Sequence, residues 1–183
     1  MKTVSIIFLV LAAAVSAIAQ TRTVEGNATG RVFNEFKKGW LPATIEVYVD
    51  DEGSFYTCVS NRTSKPRAML PKNCLEPFIT ALEKSKEWAK TANTEQLEIT
   101  KSLGKFADKQ GQILNSVVLE FFSTNKGKQT DVILSLSDFD NRFEKAEVYV
   151  STADVDQLLV LLRRVESTYK ELLEQKKKAD LLK

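Results

Sequence analysis

The residues that could carry chemistry in this chain are carboxylates, lysines, two cysteines and a set of aromatic side chains, because none of its 183 residues is histidine. Without an imidazole the sequence lacks the commonest general base, the commonest zinc ligand and the usual switch near neutral pH. Ser-His-Asp and Cys-His nucleophilic catalysis are thereby excluded. An enzyme built from these residues would have to work with Asp, Glu, Lys or Tyr alone. Three carboxylates bunch at Asp50-Asp51-Glu52, and Asp138 and Asp140 lie beside Asn141. Such oxygen clusters can hold calcium, but neither spacing is that of an EF-hand loop, and solvated turns are the simpler reading. A carboxylate pair could also serve glycoside hydrolysis, which needs a spatial separation that sequence does not fix. No glycine-rich phosphate loop, nucleophile elbow or metal-ligand array occurs. No catalytic residue, cofactor or metal site is therefore assigned, and the reading leans away from an enzyme.

Other residue types suggest binding rather than turnover. Phe55, Tyr56, Phe121, Phe122, Phe139, Phe143 and Tyr149 fall on predicted strands or their turns. Roughly half of an alternating strand faces away from any one side, so some of these rings could stack on bases, sugars or a peptide. Tyr56 and Phe122, with Lys126 and Lys128, are the candidate ligand-facing set. Lys176-Lys177-Lys178 form a further basic run near a helix C-terminus, where cations complement the dipole. Trp88 reads as a flank residue at a helix–sheet boundary. Cys58 and Cys74, an even count in a chain expected to be exported, are the candidate disulfide. That bridge would close a loop of roughly 15 residues and contribute about 3 kcal/mol in the chain-entropy model. Asn27-Ala28-Thr29 and Asn61-Arg62-Thr63 are glycosylation sequons.

The address comes from residues 1–19. Lys2, an apolar run from Val4 to Val15 and the triplet Ala17-Ile18-Ala19 form a secretory signal peptide, with cleavage expected after Ala19. The run is short for a membrane anchor, and no later segment is apolar enough to cross, so a soluble secreted or periplasmic chain is expected. It holds 26 Lys and Arg against 24 Asp and Glu, a net charge of +2, and loss of Lys2 brings it closer to neutral. A near-neutral protein is poorly suited to gripping phosphate backbones, so nucleic acid is a disfavoured partner.

The elements that position these residues follow from periodicity. Residues 20–30 are polar and glycine-containing and read as a flexible lead-in, with residues 31–183 forming one α+β domain. Strands are predicted at Arg31–Phe36, Thr44–Asp50, Ser54–Ser60, Arg67–Leu70, Gln96–Phe106, Ile113–Ser123, Thr130–Ser137 and Phe143–Val150, with Asp51-Glu52-Gly53, Gln110-Gly111, Asn125-Lys126-Gly127-Lys128 and Asp138–Asn141 as turns. Gln96–Phe106 reads as an edge strand and Ile113–Ser123 as the most buried one. Asn73 and Glu76 supply an N-cap pattern for a helix from Cys74 to about Thr91, and Ser151 or Thr152 caps a second helix running toward Lys183. In that last helix Val155, Leu158, Leu159, Leu162, Val165 and Tyr169 make an apolar stripe. Leu172, Leu173, Leu181 and Leu182 extend it and are the candidate partner surface, expected to project beyond the domain.

Strands then a helix, twice, suggests a tandem ββββα plan with halves 31–93 and 94–183. Over Val59–Lys90 against Phe139–Lys170, a shift of eighty residues gives five identities in thirty-two positions, Leu82/Leu162 among them. With Gly53-Ser54-Phe55-Tyr56 and Arg67-Ala68-Met69-Leu70-Pro71 before a helix, this plan resembles that of PUR-type single-stranded nucleic-acid binders. The resemblance implies such binding on an aromatic sheet face, whereas the near-neutral charge and secretory leader depart from it, and no family is assigned. The expectation is a secreted binding or structural module with an extracytoplasmic ligand, a protein partner or a second copy of itself as occupant. Polyanion binding and a carboxylate-based enzyme are the alternatives.

Overall fold

A computed structural model of the protein describes residues 21–60, 67–107, 116–137 and 145–181. Strand β3 (Gly39–Asp50) buries Ala43, Ile45, Val47 and Val49 while Trp40, Pro42, Thr44, Glu46 and Tyr48 point the other way. This two-residue period sets one face of a strand against a core. The same alternation shapes β5 (Arg67–Leu70), β7 (Ser116–Thr124) and β9 (Lys145–Ser151), while β4 (Phe55–Ser60) and β8 (Gln129–Ser137) interrupt it with buried runs at Thr57–Val59 and Asp131–Leu134. With β2 (Ala28–Asn34) and β6 (Ile99–Ala107) they form one antiparallel path, β5-β4-β3-β2-β9-β8-β7-β6. A short β1 (Thr21–Thr23) pairs with β3 beyond the end of β2. The sheet curls until β5 lies beside β7 and β8.

Two helices cover its inner face, so the architecture is α+β. Helix α1 (Leu75–Thr94), entered through a 3-10 turn at Lys72–Cys74, packs on β6, β7 and β8. Helix α2 (Val155–Asp180) packs on β2 and β3. Each helix thus covers strands from the other half of the sequence. The buried α1 residues Leu75, Phe78, Ile79, Ala81, Leu82, Ser85 and Ala92 each have a buried residue of α2 eighty positions on, from Val155 to Leu172. Glu83 and Arg163, also eighty apart, pair with each other at 2.6 Å where the helices meet.

Several expectations are corrected. Residues 21–30 are not a flexible lead-in: Val24 and Ala28 are buried, and Val24 N–H donates to Val47 O at 2.8 Å, so backbone pairing orders a polar stretch. Strand β7, expected to be the most buried, shares that place with β8: each buries five of its nine residues, β8 in one run from Asp131 to Leu134 and β7 mostly at alternate positions. No disulfide joins Cys58 and Cys74. Cys58 points to the outer face of β4, opposite in phase to Phe55, Thr57 and Val59, whereas Cys74 packs on the inner core, so the sheet separates them. Asn73 does not cap α1, whose N-cap position is Cys74, and the N-cap position of α2 is Asp154 rather than Ser151 or Thr152, neither helix having a side-chain capping bond there. Thr152 instead hydrogen bonds Thr130 through their hydroxyls at 2.5 Å. Leu172 is 4% exposed and does not project, because α2 stays on the domain as far as Lys176, which ion-pairs with Asp51. The leader, Asn61, Gln110-Gly111, Asp138–Asn141 and Leu182 lie outside the described residues.

Candidate functional site

The outer sheet face carries its most exposed large apolar side chains on one ribbon, β2 and β3. Between these strands Asn34 accepts a hydrogen bond from Lys37 N–H at 2.7 Å, and Lys38 turns back with φ of 48°, a conformation that closes a tight hairpin. The register then sets Phe33 opposite Trp40 and Arg31 opposite Pro42 on β3 and Tyr149 on β9. Tyr149 pairs in turn with Ile133 on β8, and Ile133 with Glu120 on β7. One rung therefore crosses five strands, and the aromatic residues gather at its β3 end.

Trp40 is 46% exposed and Phe33 43%. The Trp40 ring meets Phe33 edge-on at 5.4 Å and Tyr149 at 4.8 Å, both at 74°. Such edge-to-face pairs fix ring orientation as well as burying area. The Arg31 guanidinium sits 4.5 Å from the Trp40 ring centroid, and its Nη2 donates to Asp131 Oδ2 at 2.7 Å. Asp131 is almost wholly buried and also accepts from Gln129 Nε2 at 3.4 Å. Arg31 Nε is buried with no hydrogen-bond partner among the described residues. The cation is thus clamped between a ring and a carboxylate, and Trp40 stands on a braced base. Burial, then Glu147, Asp131 and Glu120, raises the Tyr149 phenol above its ordinary value, with Arg31 opposing.

The predicted ligand-facing residues do not form one site. Tyr56 lies on the outer face of β4, half-buried, donating to Asp50 Oδ2 at 3.2 Å, and burial and the Asp50 charge push its phenol to about 12. Phe122 lies on the outer face of β7, five strand spacings away, on the order of 24 Å along the sheet. Lys126 and Lys128 are exposed in the β7–β8 turn, where Lys126 N–H donates to Glu98 Oε1 at 2.8 Å. The Asp50 cluster is a turn device. Asp50 is buried and accepts from Glu52 N–H and Ser54 N–H at 3.0 and 2.8 Å. Of the candidate partner surface, Leu173 is half-buried and Leu181 is 85% exposed.

Sequence reading missed Arg31, Phe33 and Trp40. Gly39 and Pro42 look like punctuation, yet the alternation of Trp40, Pro42 and Thr44 against Leu41, Ala43 and Ile45 extends the β3 pattern back to the turn and could have found them. Trp88 does lie at a helix–sheet boundary, meeting Phe121 edge-on at 5.9 Å with Lys84 and Lys101 at 4.9 and 5.0 Å. A shallow groove of about 420 Å³ runs past Lys72, Asn73, Leu75, Glu76 and Glu166. Among the described residues no group of three or more His, Cys, Asp or Glu is placed to hold a metal ion, and no helix is long and apolar enough to cross a membrane.

No family model matches the chain, and no curated protein matches it. Among solved structures it is similar to an SsgA-like sporulation-specific cell division protein from Thermobifida fusca, at 10% identity over 90% of this chain and 98% of that one, with a TM-score of 0.40. A structure from work linking mutations in SsgB to longitudinal cell division during sporulation of Streptomyces coelicolor matches at 10% identity over 84% and 91%, TM-score 0.38. Outer surface protein E matches at 11% over 78% and 85%, TM-score 0.32. Likeness of this extent transfers no function.

Proposed function

We propose that this protein is a secreted, non-enzymatic binding module that takes its ligand on the outer sheet face around Trp40. The observation that carries this reading is the braced aromatic cluster itself: two half-exposed rings are held in fixed geometry by strand pairing and by the half-buried Arg31 on the buried carboxylate of Asp131. Exposed aromatic clusters with rigid support are what recognition surfaces require, since little side-chain entropy is lost when a ligand docks. The leader expected at residues 1–19 supports export, and a mature chain beginning at Gln20 by mass spectrometry is the corresponding check.

The same reading includes a tandem ββββα duplication. The eighty-residue offset between buried positions of α1 and α2 and the Glu83–Arg163 pair both support it. Two matched halves joined through β2 and β9 put Arg31 and Tyr149 at their seam.

The test is a comparison of wild type with Trp40→Ala against a chitooligosaccharide, an unstructured peptide and a single-stranded oligonucleotide. A ligand bound by wild type and lost in Trp40→Ala, with thermal melting unchanged, supports the reading. Binding of every such ligand with unaltered affinity by Trp40→Ala would overturn it. Polyanion binding is the second reading, supported by the two lysines around Trp88. It predicts affinity that falls steeply with salt and survives Trp40→Ala.

A further inference from the structure

The last described β3–β4 pair is Thr44 with Ser60, and β2 and β3 stay paired from there through Gly39–Ala43 to the turn at residues 35–38. At that tip Phe36 is 99% exposed, with nothing packed on it, and Phe33 and Trp40 stand one step behind on the outer face. Lys37 and Lys38 flank Phe36 and are exposed, and Glu35 pairs with Lys38 at 3.2 Å. Glu35, Lys37 and Lys38 leave the tip net positive, whereas the exposed Glu147 and half-buried Glu120 lie on the outer face behind it.

We propose that this tip is a peripheral membrane contact, with Phe36 entering the headgroup boundary of an anionic bilayer, Lys37 and Lys38 at the phosphates, and Trp40 and Phe33 at the interface. The assignment rests on the reading of the Trp40 cluster as a binding surface and names what it meets. Three observations choose a bilayer over other occupants. A planar anionic surface can meet Phe36, Lys37 and Lys38 together at this turn, while a nucleic-acid strand following the sheet would pass the exposed Glu147 and the half-buried Glu120. A second copy docked tip to tip would bring lysines against lysines. Aromatic rings that are apolar at one end and polar at the other favour the interfacial layer, as Trp40 does here. One inserted ring and two lysines give reversible association, not anchoring.

The test uses the full chain with Trp88→Phe, leaving Trp40 as the only tryptophan. It is mixed with vesicles of equal phosphatidylglycerol and phosphatidylcholine, or of phosphatidylcholine alone. The proposal expects cosedimentation and a blue shift of Trp40 emission with the anionic vesicles only, weakened by salt. Phe36→Ala and Lys37→Glu should each lower the partition coefficient about tenfold, with melting unchanged, since both side chains are exposed. No vesicle binding, equal binding to both vesicle types, or binding that survives Phe36→Ala would each overturn it, as would Phe36-dependent binding of an oligonucleotide by a protein that ignores vesicles. If vesicles are ignored while another ligand is lost in Trp40→Ala, the lipid assignment fails and the wider binding reading stands.

Discussion

Asp50 shows at the scale of one residue how a feature that looks like chemistry can be architecture. Its carboxylate takes two backbone donors of the β3–β4 turn on one oxygen and the Tyr56 hydroxyl on the other, so both oxygens serve the turn. Tyr56 follows from it. With the folded phenol near 12 and an unfolded value of about 10, the folded state holds its proton more tightly. This contribution is fully present below about pH 10 and is lost as pH rises through about 12. Tyr48 and Tyr149 are shifted the same way, Tyr48 chiefly by its hydrogen bond to Glu46. Urea unfolding should therefore show stability falling from pH 9 to 11, and Tyr56→Phe should make that fall shallower while costing about 1 kcal/mol at pH 8. A fall of equal steepness in the variant would contradict the assignment. Arg31→Met leaves the buried Asp131 carboxylate without its cation and should cost about 2–4 kcal/mol by denaturant titration. Adding Asp131→Leu should recover most of that loss. No recovery would mean that Arg31 acts through Trp40 instead.

Among the elements, strands and helices were the legible part, and their contacts were not. Arg67–Leu70 matches β5 residue for residue, and Val155, Leu158, Leu159, Leu162 and Val165 of the α2 stripe are all buried, because each element buries one face and apolar period records a face. Period does not record which strand lies next to which. Tyr56 and Phe122 were rightly placed on strands yet stand far apart across the sheet. Cys58 and Cys74 are close in sequence and on opposite sides of it. Polar β1 was illegible because its order comes from backbone pairing with β3. The β7–β8 turn shows what a correctly read motif can still conceal. Asn125, Lys126 and Gly127 all have positive φ, and a Cβ at Gly127 would lie 2.0 Å from the Ala92 carbonyl oxygen at the end of α1. Gly127→Ala should therefore destabilise by about 3 kcal/mol, by dislodging the turn from the helix. A melting temperature within a degree or two of wild type would show that the turn moves aside at little cost.

At the scale of the whole molecule the exchanged helices decide behaviour. Since α1 lies mainly on β6–β8, with Phe78 also meeting Phe55 of β4, and α2 lies on β2 and β3, each half is covered largely by the other half's helix. A protease site inserted after Gln96, in the link between α1 and β6, should yield two fragments that remain together after cutting. Gel filtration should show one species, and calorimetry one transition; separation of the fragments would contradict the packing. The same exchange also sets an order on synthesis. Helix α2 begins more than one hundred residues after β3 ends, so the inner faces of β2 and β3 stay open while the rest of the chain emerges. The first strands made are among the last to be covered. Folding can finish only once α2 has been made, and until then the inner faces of β2 and β3 are exposed apolar surface of the kind that associates wrongly.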